Sequence, residues 1–427
     1  MAEACRRLAG DRTLRRLAAL LGRETAWVTG GYVRDRLLGG RPDEVDLVIH
    51  GTVESAGGAA RAIAEDLGVG PHLVGRAPRA VWRIETPALK VEIWPLGELT
   101  LREDALRRDF TVNALQWRLP GGPLKDPARG LPDLRARLLR AISRENLAGD
   151  PVRILRAVRL TAQLPGFALE EHTGAMVRDL APVIATAPRE RVGHELLRLL
   201  EGPAPSLGLA LLIRLGLLEP SAPPGAKVQP EMLVRLCPAA HLLRCRTRGL
   251  PRLRGPQATA ARLAVLLAAW GPVKEAHLAA HAWPGTERRM ARSAAVALPH
   301  LLREVSGPPA TRRETMALLG EAFPAALALS AAAALVSGLP GGPWQRWWRQ
   351  WRRTGRRLLT TPPLLRGGEI MAITGLPPGP RLGRLVTELE RARIRGDVRS
   401  PGGARRWLER RMVARVGMMG PGNEGEE

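Results

Sequence analysis

Two acids, Glu44 and Asp46, open the apolar run "EVDLVI" at residues 44–49. In a strand, residues i and i+2 share a face, so these carboxylates project together while Val45 and Leu47 turn to the core. Asp43 falls on the opposite face. Two adjacent carboxylates repel, and a divalent cation relieves the repulsion. Mg²⁺ shared with phosphate oxygens is the usual use of such a pair. Two solvated acids on an edge strand would read the same way. Glu92 tips the balance: in "KVEIW" it stands between Val91 and Ile93 on a later strand, where it can add a third carboxylate.

Three further stretches carry polar groups suited to a nucleotide. In "GGYVRD", Gly30 and Gly31 lie between a strand and a helix, where backbone N–H groups can approach an anion and the helix dipole favours it. Arg34 and Asp35 follow one turn in. In "LRRDFTVNAL", Arg108, Asp109 and Asn113 crowd a short helical segment. Arg108 suits phosphate or ribose, and Asp109 suits holding an arginine in place. In "GDPVRILRAVRL", Arg153, Arg156 and Arg159 recur every three residues along one helix face, opposite Ile154, Leu155, Val158 and Leu160. That stripe is expected to face something wet and anionic. Asp150, three residues before Arg153, sets an acceptor beside donors, and such a pair can read the edge of a base.

These groups need elements to hold them. Residues 3–22 read as one leading amphipathic helix. A strand, the glycine pair, a helix from about Tyr32, the strand "EVDLVIHG", the helix "SAGGAARAIAEDLG" and two alternating strands follow, which predicts a small mixed sheet. After about residue 125 strand signals nearly vanish, and Pro/Gly breaks such as "PSAPPGAK" and "SGLPGGPW" separate helices. The expected fold is α+β, a small mixed-sheet head followed by an elongated all-α remainder. The expected bounds are 1–145 for the head, 146–220 for a base-reading neck, 221–355 for a helical body, 356–415 for a tail and 416–427 for a disordered end.

The chain of 427 residues carries a formal charge of +24. Only four of its 65 basic residues are lysine, which reads as a coding bias toward arginine, but bias does not explain 65 basic against 41 acidic residues. A polyanionic partner does, most simply nucleic acid. Three cysteines make no disulfide framework and suit a reducing cytoplasm. The N-terminus lacks the apolar core of a signal peptide. The apolar run at 325–339 is expected to be a buried helix rather than a membrane span. In "WQRWWRQWRRTGRRL" (344–358), Trp344, Trp347, Trp348 and Trp351 form one inward stripe, leaving Arg349, Arg352 and Arg353 for an RNA backbone. Cys237, His241 and Cys245, spaced by four, are expected to pack rather than bind zinc.

Together the motifs resemble those of the class II tRNA nucleotidyltransferases, the CCA-adding enzymes and their poly(A) polymerase relatives. "GGYVRDRLLGGRPDEVD" matches the first family motif without a gap and sets Glu44 and Asp46 on its two metal carboxylates. "RRDFTVNAL" is similar to the nucleotide-contacting motif, "GDPVRILRAVRL" to the base-reading motif and "RERVGHELLRLL" (189–200) to the neck-helix motif. "LLRGGEIMAITGLPPGPRLGRLVTELERARIRGDV" resembles the tail of bacterial members. The resemblance spans residues 25–215 and 360–410. It implies a polymerase-β-like head, a helical remainder that holds tRNA, and template-independent attack of a tRNA 3′-hydroxyl on CTP or ATP, assisted by two Mg²⁺ ions. Pyrophosphate leaves. A poly(A) polymerase shares the head motifs, and a relative that only binds RNA is the alternative from another class. Three departures stand out: Glu44 for the first Asp, Gly149 for a bracing Glu, and a short "PLGELTLREDAL" where CCA-adding relatives carry a flexible loop. In this family the missing loop accompanies addition of C-C alone.

Overall fold

The structure, a computed structural model, describes residues 2–22, 26–76, 80–244, 253–272 and 274–418. The chain forms two compact units, 1–221 and 222–427.

The first unit opens with α1 (Ala2–Ala9) and α2 (Arg12–Leu21). The single helix expected over 3–22 is therefore two. Asp11 makes the break by accepting hydrogen bonds from the N–H groups of Thr13 and Leu14, an N-cap that starts a new helix. Then come β1 (Ala26–Thr29), α3 (Gly31–Leu37), β2 (Glu44–Ile49), α4 (Val53–Leu67), β3 (His72–Val74), β4 (Val81–Glu85), β5 (Lys90–Pro95), α5 (Leu101–Leu106), β6 (Gln116–Arg118) and β7 (Leu124–Lys125). These strands build one mixed sheet in the order β3-β4-β5-β2-β1-β6-β7. β2 is central, antiparallel to β1 and parallel to β5. Its Val45 and Leu47 are fully buried, which fixes the register: a one-residue slip would turn both out.

Past the sheet lie α6 (Gly130–Ala136), β8 (Leu138–Leu139), α7 (Arg144–Gly149), α8 (Val152–Gln163), β9 (Ala168–Leu169), α9 (Glu171–Asp179), α10 (Arg189–Glu201), α11 (Pro205–Arg214) and α12 (Leu218–Ser221). β8 and β9 pair parallel over two residues each, too short to leave an alternating signal in the sequence. α8 packs against α10 and α11, burying Ile154, Leu155, Val158 and Leu160.

The second unit is helical throughout its described residues: α13 (Pro230–Arg244), α14 (Gly255–Trp270), α15 (Glu275–Ala279), α16 (Gly285–Glu304), α17 (Pro309–Leu319), α18 (Phe323–Val336), α19 (Gly342–Gln350), α20 (Arg356–Thr360), α21 (Gly367–Thr374), α22 (Pro380–Arg395) and α23 (Pro401–Met418). Residues 309–336 are long and apolar enough to cross a bilayer, yet most of that stretch is buried within the protein, with α18 packed on α13, α14 and α16. The helix expected over 344–358 is interrupted by a π-turn at Trp351–Gly355. The Trp351 ring lies where a Cβ on residue 355 would be, so only glycine fits there. Trp344 and Trp347 are buried; Arg349, Arg352 and Arg353 are exposed. Residues 416–418, expected to be disordered, complete α23, and 419–427 lie outside the described residues. Cys237 is buried, which pushes its thiol up to about 11; Cys245 lies outside the described residues.

Candidate active site

The sheet register lines up one polar row across one face. Its members in strand order are His72, Arg83, Glu92, Asp46, Thr29, Gln116 and Lys125. Asp46 is at its centre, beside Glu92 on β5 and Thr29 on β1, with Glu44 two residues away on the same face. Glu92 thus lies on the strand beside Asp46, where a third carboxylate was expected. Its partner is Arg83, at 2.7 Å. Burial raises the Glu92 carboxyl above its ordinary range despite that pair.

Asp46 accepts no hydrogen bond and makes no ion pair among the described residues. Burial pushes its carboxyl up to about 7; Glu92 and Glu44 push the same way, and Arg108 opposes them. The Thr29 hydroxyl next to it is buried without a partner. An unpaired, half-buried carboxylate beside two more is an electrostatic cost that a cation removes. This hard-oxygen donor set fits a divalent metal of the magnesium type. As they stand, no three acidic, histidine or cysteine side chains converge on one point among the described residues, because Glu44 turns to Arg198 at 3.3 Å and Glu92 to Arg83. The carboxylates left to a cation are therefore the Glu44 and Asp46 pair, which share one face of β2.

Gly30 has φ of +71° and closes this corner. A Cβ there would sit 2.5 Å from Asp46 Oδ2 and 3.3 Å from Arg108 Nη1, so glycine is required both by backbone and by space. Gly31 begins α3. Arg34 is buried, donating from Nε and Nη2 to Asp35 at 2.7 and 2.8 Å and from Nη1 to Asn113 Oδ1 at 2.6 Å. Arg34 and Asp35 therefore tie the glycine turn to the 111–113 turn. Arg108 pairs with Asp104 at 3.2 Å and keeps one edge near Gly30.

Asn113 in turn donates to Asp109, which accepts from Arg156 at 2.9 Å. Burial works against the Asp109 charge most strongly, but Arg156, the Asn113 hydrogen bond and Arg153 together outweigh it and hold the carboxyl below the usual aspartate range. Arg156 also meets Glu195 of α10 at 3.3 Å, and Arg159 meets Glu195 at 2.6 Å and Gln163 at 2.6 Å. This corrects the expected wet stripe: Arg159 is buried, and the stripe faces α10, because Glu195 supplies its counter-charge inside the protein. Arg156 and Arg159 are consumed in that network. Arg153 differs. Its Nη1 donates to the carbonyls of Arg107 and Asn146, and its Nε stands 3.7 Å from Asp150. Asp150 accepts from Arg191 Nη2 at 2.8 Å. Burial would raise the Asp150 carboxyl, but Arg191 and Arg153 hold it low.

The sequence did not reveal Asp104, Asn146, Arg191, Glu195 or Arg198. Asp104 is only four residues from Arg108, but the partners of the others lie as far as 154 residues away, beyond any local pattern. Asn146 bridges the carbonyls of Leu106 and Arg108, tying α7 to the segment that carries Arg108.

A central strand with paired carboxylates, beside a glycine turn, defines a nucleotidyltransferase head. Residues 26–140 match the poly A polymerase head domain, and 166–227 match the probable RNA and SrmB-binding site of polymerase A. The chain is 31% identical to the A-adding tRNA nucleotidyltransferase of Deinococcus radiodurans, over 90% of this chain and 95% of the relative. It is 40% identical to the CC-adding tRNA nucleotidyltransferase of Thermus thermophilus over 45% of this chain and 44% of that one. The fold is shared with the Bacillus stearothermophilus CCA-adding enzyme solved with CTP, with a TM-score of 0.70, 24% identity and coverage of 98% and 100%. The chain belongs to the class II tRNA nucleotidyltransferase family. It is an enzyme of metal-dependent nucleotide transfer.

Proposed function

We propose that this enzyme adds C-C to the 3′ end of tRNA, drawing on CTP. The observation that carries the subtype is the connection from β5 to α5. Only residues 96–100 intervene, and they are tied down: Leu96 and Gly97 donate to the carbonyls of Ile49 and Gly51, and Thr100 and Glu103 form a capping box on α5. No loop is left there to swing between states.

Asp150 and Arg153 suit base selection. With one Asp150 oxygen taken by Arg191, the other accepts while Arg153 Nη2 donates. Cytosine and adenine each present an amino donor beside a ring-nitrogen acceptor and match this pair; uracil and guanine present the reverse and do not. Gly30, Gly31 and Arg108 line the place for the triphosphate, with Asp104 steadying Arg108. Glu44 and Asp46 would hold Mg²⁺, and two such ions would neutralise the transferred phosphoryl group and activate the attacking hydroxyl. Glu92 stands beside Asp46 with its charge balanced by Arg83. The head of this reading is 1–145 and the neck 146–220; body and tail, 221–355 and 356–415, bind the tRNA. The setting is the cytoplasm.

A second reading, addition of the terminal A alone, is favoured by the nearly full-length likeness to an A-adding enzyme. Run-off assays on tRNA lacking its last three nucleotides, and on tRNA ending in C-C, separate the two. We expect two C residues added to the first and nothing added to the second with ATP. Adding A to the second substrate but no C to the first would establish the second reading.

Arg349, Arg352 and Arg353 are exposed and suit phosphate contacts. Changing all three to Ala should weaken tRNA binding and reduce the slope of log K against log salt by about 2 to 3. Filter binding between low and moderate salt measures this; an unchanged slope would place the RNA elsewhere.

A further inference from the structure

We infer that Arg191 is a positioning residue for base selection, fixing the Asp150 carboxylate so that Asp150 and Arg153 stay apart and readable. The inference rests on the proposed base-reading role of that pair.

Asp150 needs an outside anchor. It follows the last residue of α7 with extended backbone (φ −138°, ψ 92°), so no helix fixes its side chain. Position 149 offers nothing, being glycine with open space where its Cβ would be. Arg153 is the obvious partner, but a bidentate pair between the two would consume the very donor and acceptor that a base must meet. The structure holds them short of that, with Arg153 Nε 3.7 Å from Asp150 Oδ2 and Arg153 Nη1 donating to the carbonyls of Arg107 and Asn146. Arg191 takes Oδ2 instead, at 2.8 Å.

Arg191 itself is well referenced. It lies on α10 one turn before Glu195, and i, i+4 residues share a helix face. Glu195 is bonded to Arg156 and Arg159 of α8, so that face of α10 is locked to the helix that carries Arg153. Arg191 thus sets Asp150 in the same frame as Arg153. The side chains of Arg191 and Asp150 are 47% and 24% exposed, and an ion pair this wet adds little stability. Its consequence is geometric: one carboxylate oxygen is spent, and the other remains as a single acceptor at a set place. A displacement near 1 Å at such a group costs up to about a hundredfold in rate.

The test uses the full-length enzyme as wild type, Arg191→Ala, Arg191→Lys and Asp150→Ala. Incorporation of CTP and of UTP on tRNA lacking its last three nucleotides is measured for kcat and KM, alongside thermal melting. Arg191→Ala should lower the CTP-to-UTP preference by about tenfold to a hundredfold with little change in melting, and Arg191→Lys should recover part of it. If Asp150→Ala collapses the preference but Arg191→Ala leaves it intact, the inference is wrong. If Arg191→Ala instead slows all nucleotides equally and melts early, Arg191 is only a staple, and the inference is again wrong. If Asp150→Ala itself leaves the preference intact, the base-reading assignment fails first.

Discussion

Asp46→Ala should reduce nucleotide incorporation by about 10³-fold or more while tRNA binding stays near wild type. The magnitude follows from losing several kcal/mol of metal-centred charge stabilisation, at a factor of ten per 1.36 kcal/mol. The fold should survive, because Asp46 makes no ion pair or hydrogen bond among the described residues and its carboxyl sits at a cost, pushed up to about 7. Melting temperature should therefore hold or rise, which separates loss of chemistry from loss of structure. Glu44→Ala should approach the same deficit. Glu44→Asp should keep or raise activity, because a shorter carboxylate stays on the same face beside Asp46 even as it draws back from Arg198. Asp43→Ala is the control: Asp43 is exposed and its carbonyl only receives the Lys90 N–H at the edge of the β2–β5 ladder. A larger loss from Asp43→Ala than from Glu44→Ala would refute the assignment of the metal pair. Single-turnover incorporation with saturating CTP and Mg²⁺ measures all four.

Much of this site was legible because sheets write themselves locally. Alternation in "EVDLVI" gave the face, and the apolar neighbours of Glu92 gave a second strand of the same kind. The central place of β2 then ruled out an edge strand, since both of its edges are paired, while the Glu44 side chain stays exposed. What stayed hidden is pairing over distance. The threefold spacing of Arg153, Arg156 and Arg159 looked like a solvent face, because a helix-surface pattern cannot show that Glu195, 36 residues beyond Arg159, will arrive to neutralise it. The same limit hid Arg198 behind Glu44. Short devices were lost too: the Asp11 cap splits one apparent helix in two, and Gly355 admits the Trp351 ring and bends another.

Arg156→Met should destabilise the first unit by about 3 to 5 kcal/mol, the usual result of removing one partner from a buried ion pair. Asp109 would lose its only cationic hydrogen-bond donor among the described residues and keep Asn113 and the Phe110 N–H, while Glu195 would still hold Arg159. The pH dependence identifies the cause. In the wild type the folded-state Asp109 carboxyl lies below its unfolded value, so its contribution is fully present above the ordinary aspartate range of about 3.9. It is lost as pH falls through the lower folded value. In the variant the sign reverses: a buried carboxylate stripped of its cationic partner binds its proton more tightly folded than unfolded, so the deficit should shrink as pH falls from 8 toward 5. Denaturant melts at both pH values measure this. A deficit that stays constant or grows on acidification would mean that Arg156 stabilises by packing alone. The double variant Arg156→Met with Asp109→Asn should recover part of the stability, because it removes the stranded charge while an amide oxygen remains to accept from Asn113. Its activity should not recover with it. Asp109, Asn113 and Arg34 form one line of hydrogen bonds to the glycine turn, and with Arg156 gone that line no longer connects the turn beside Asp46 to the helix that carries Arg153.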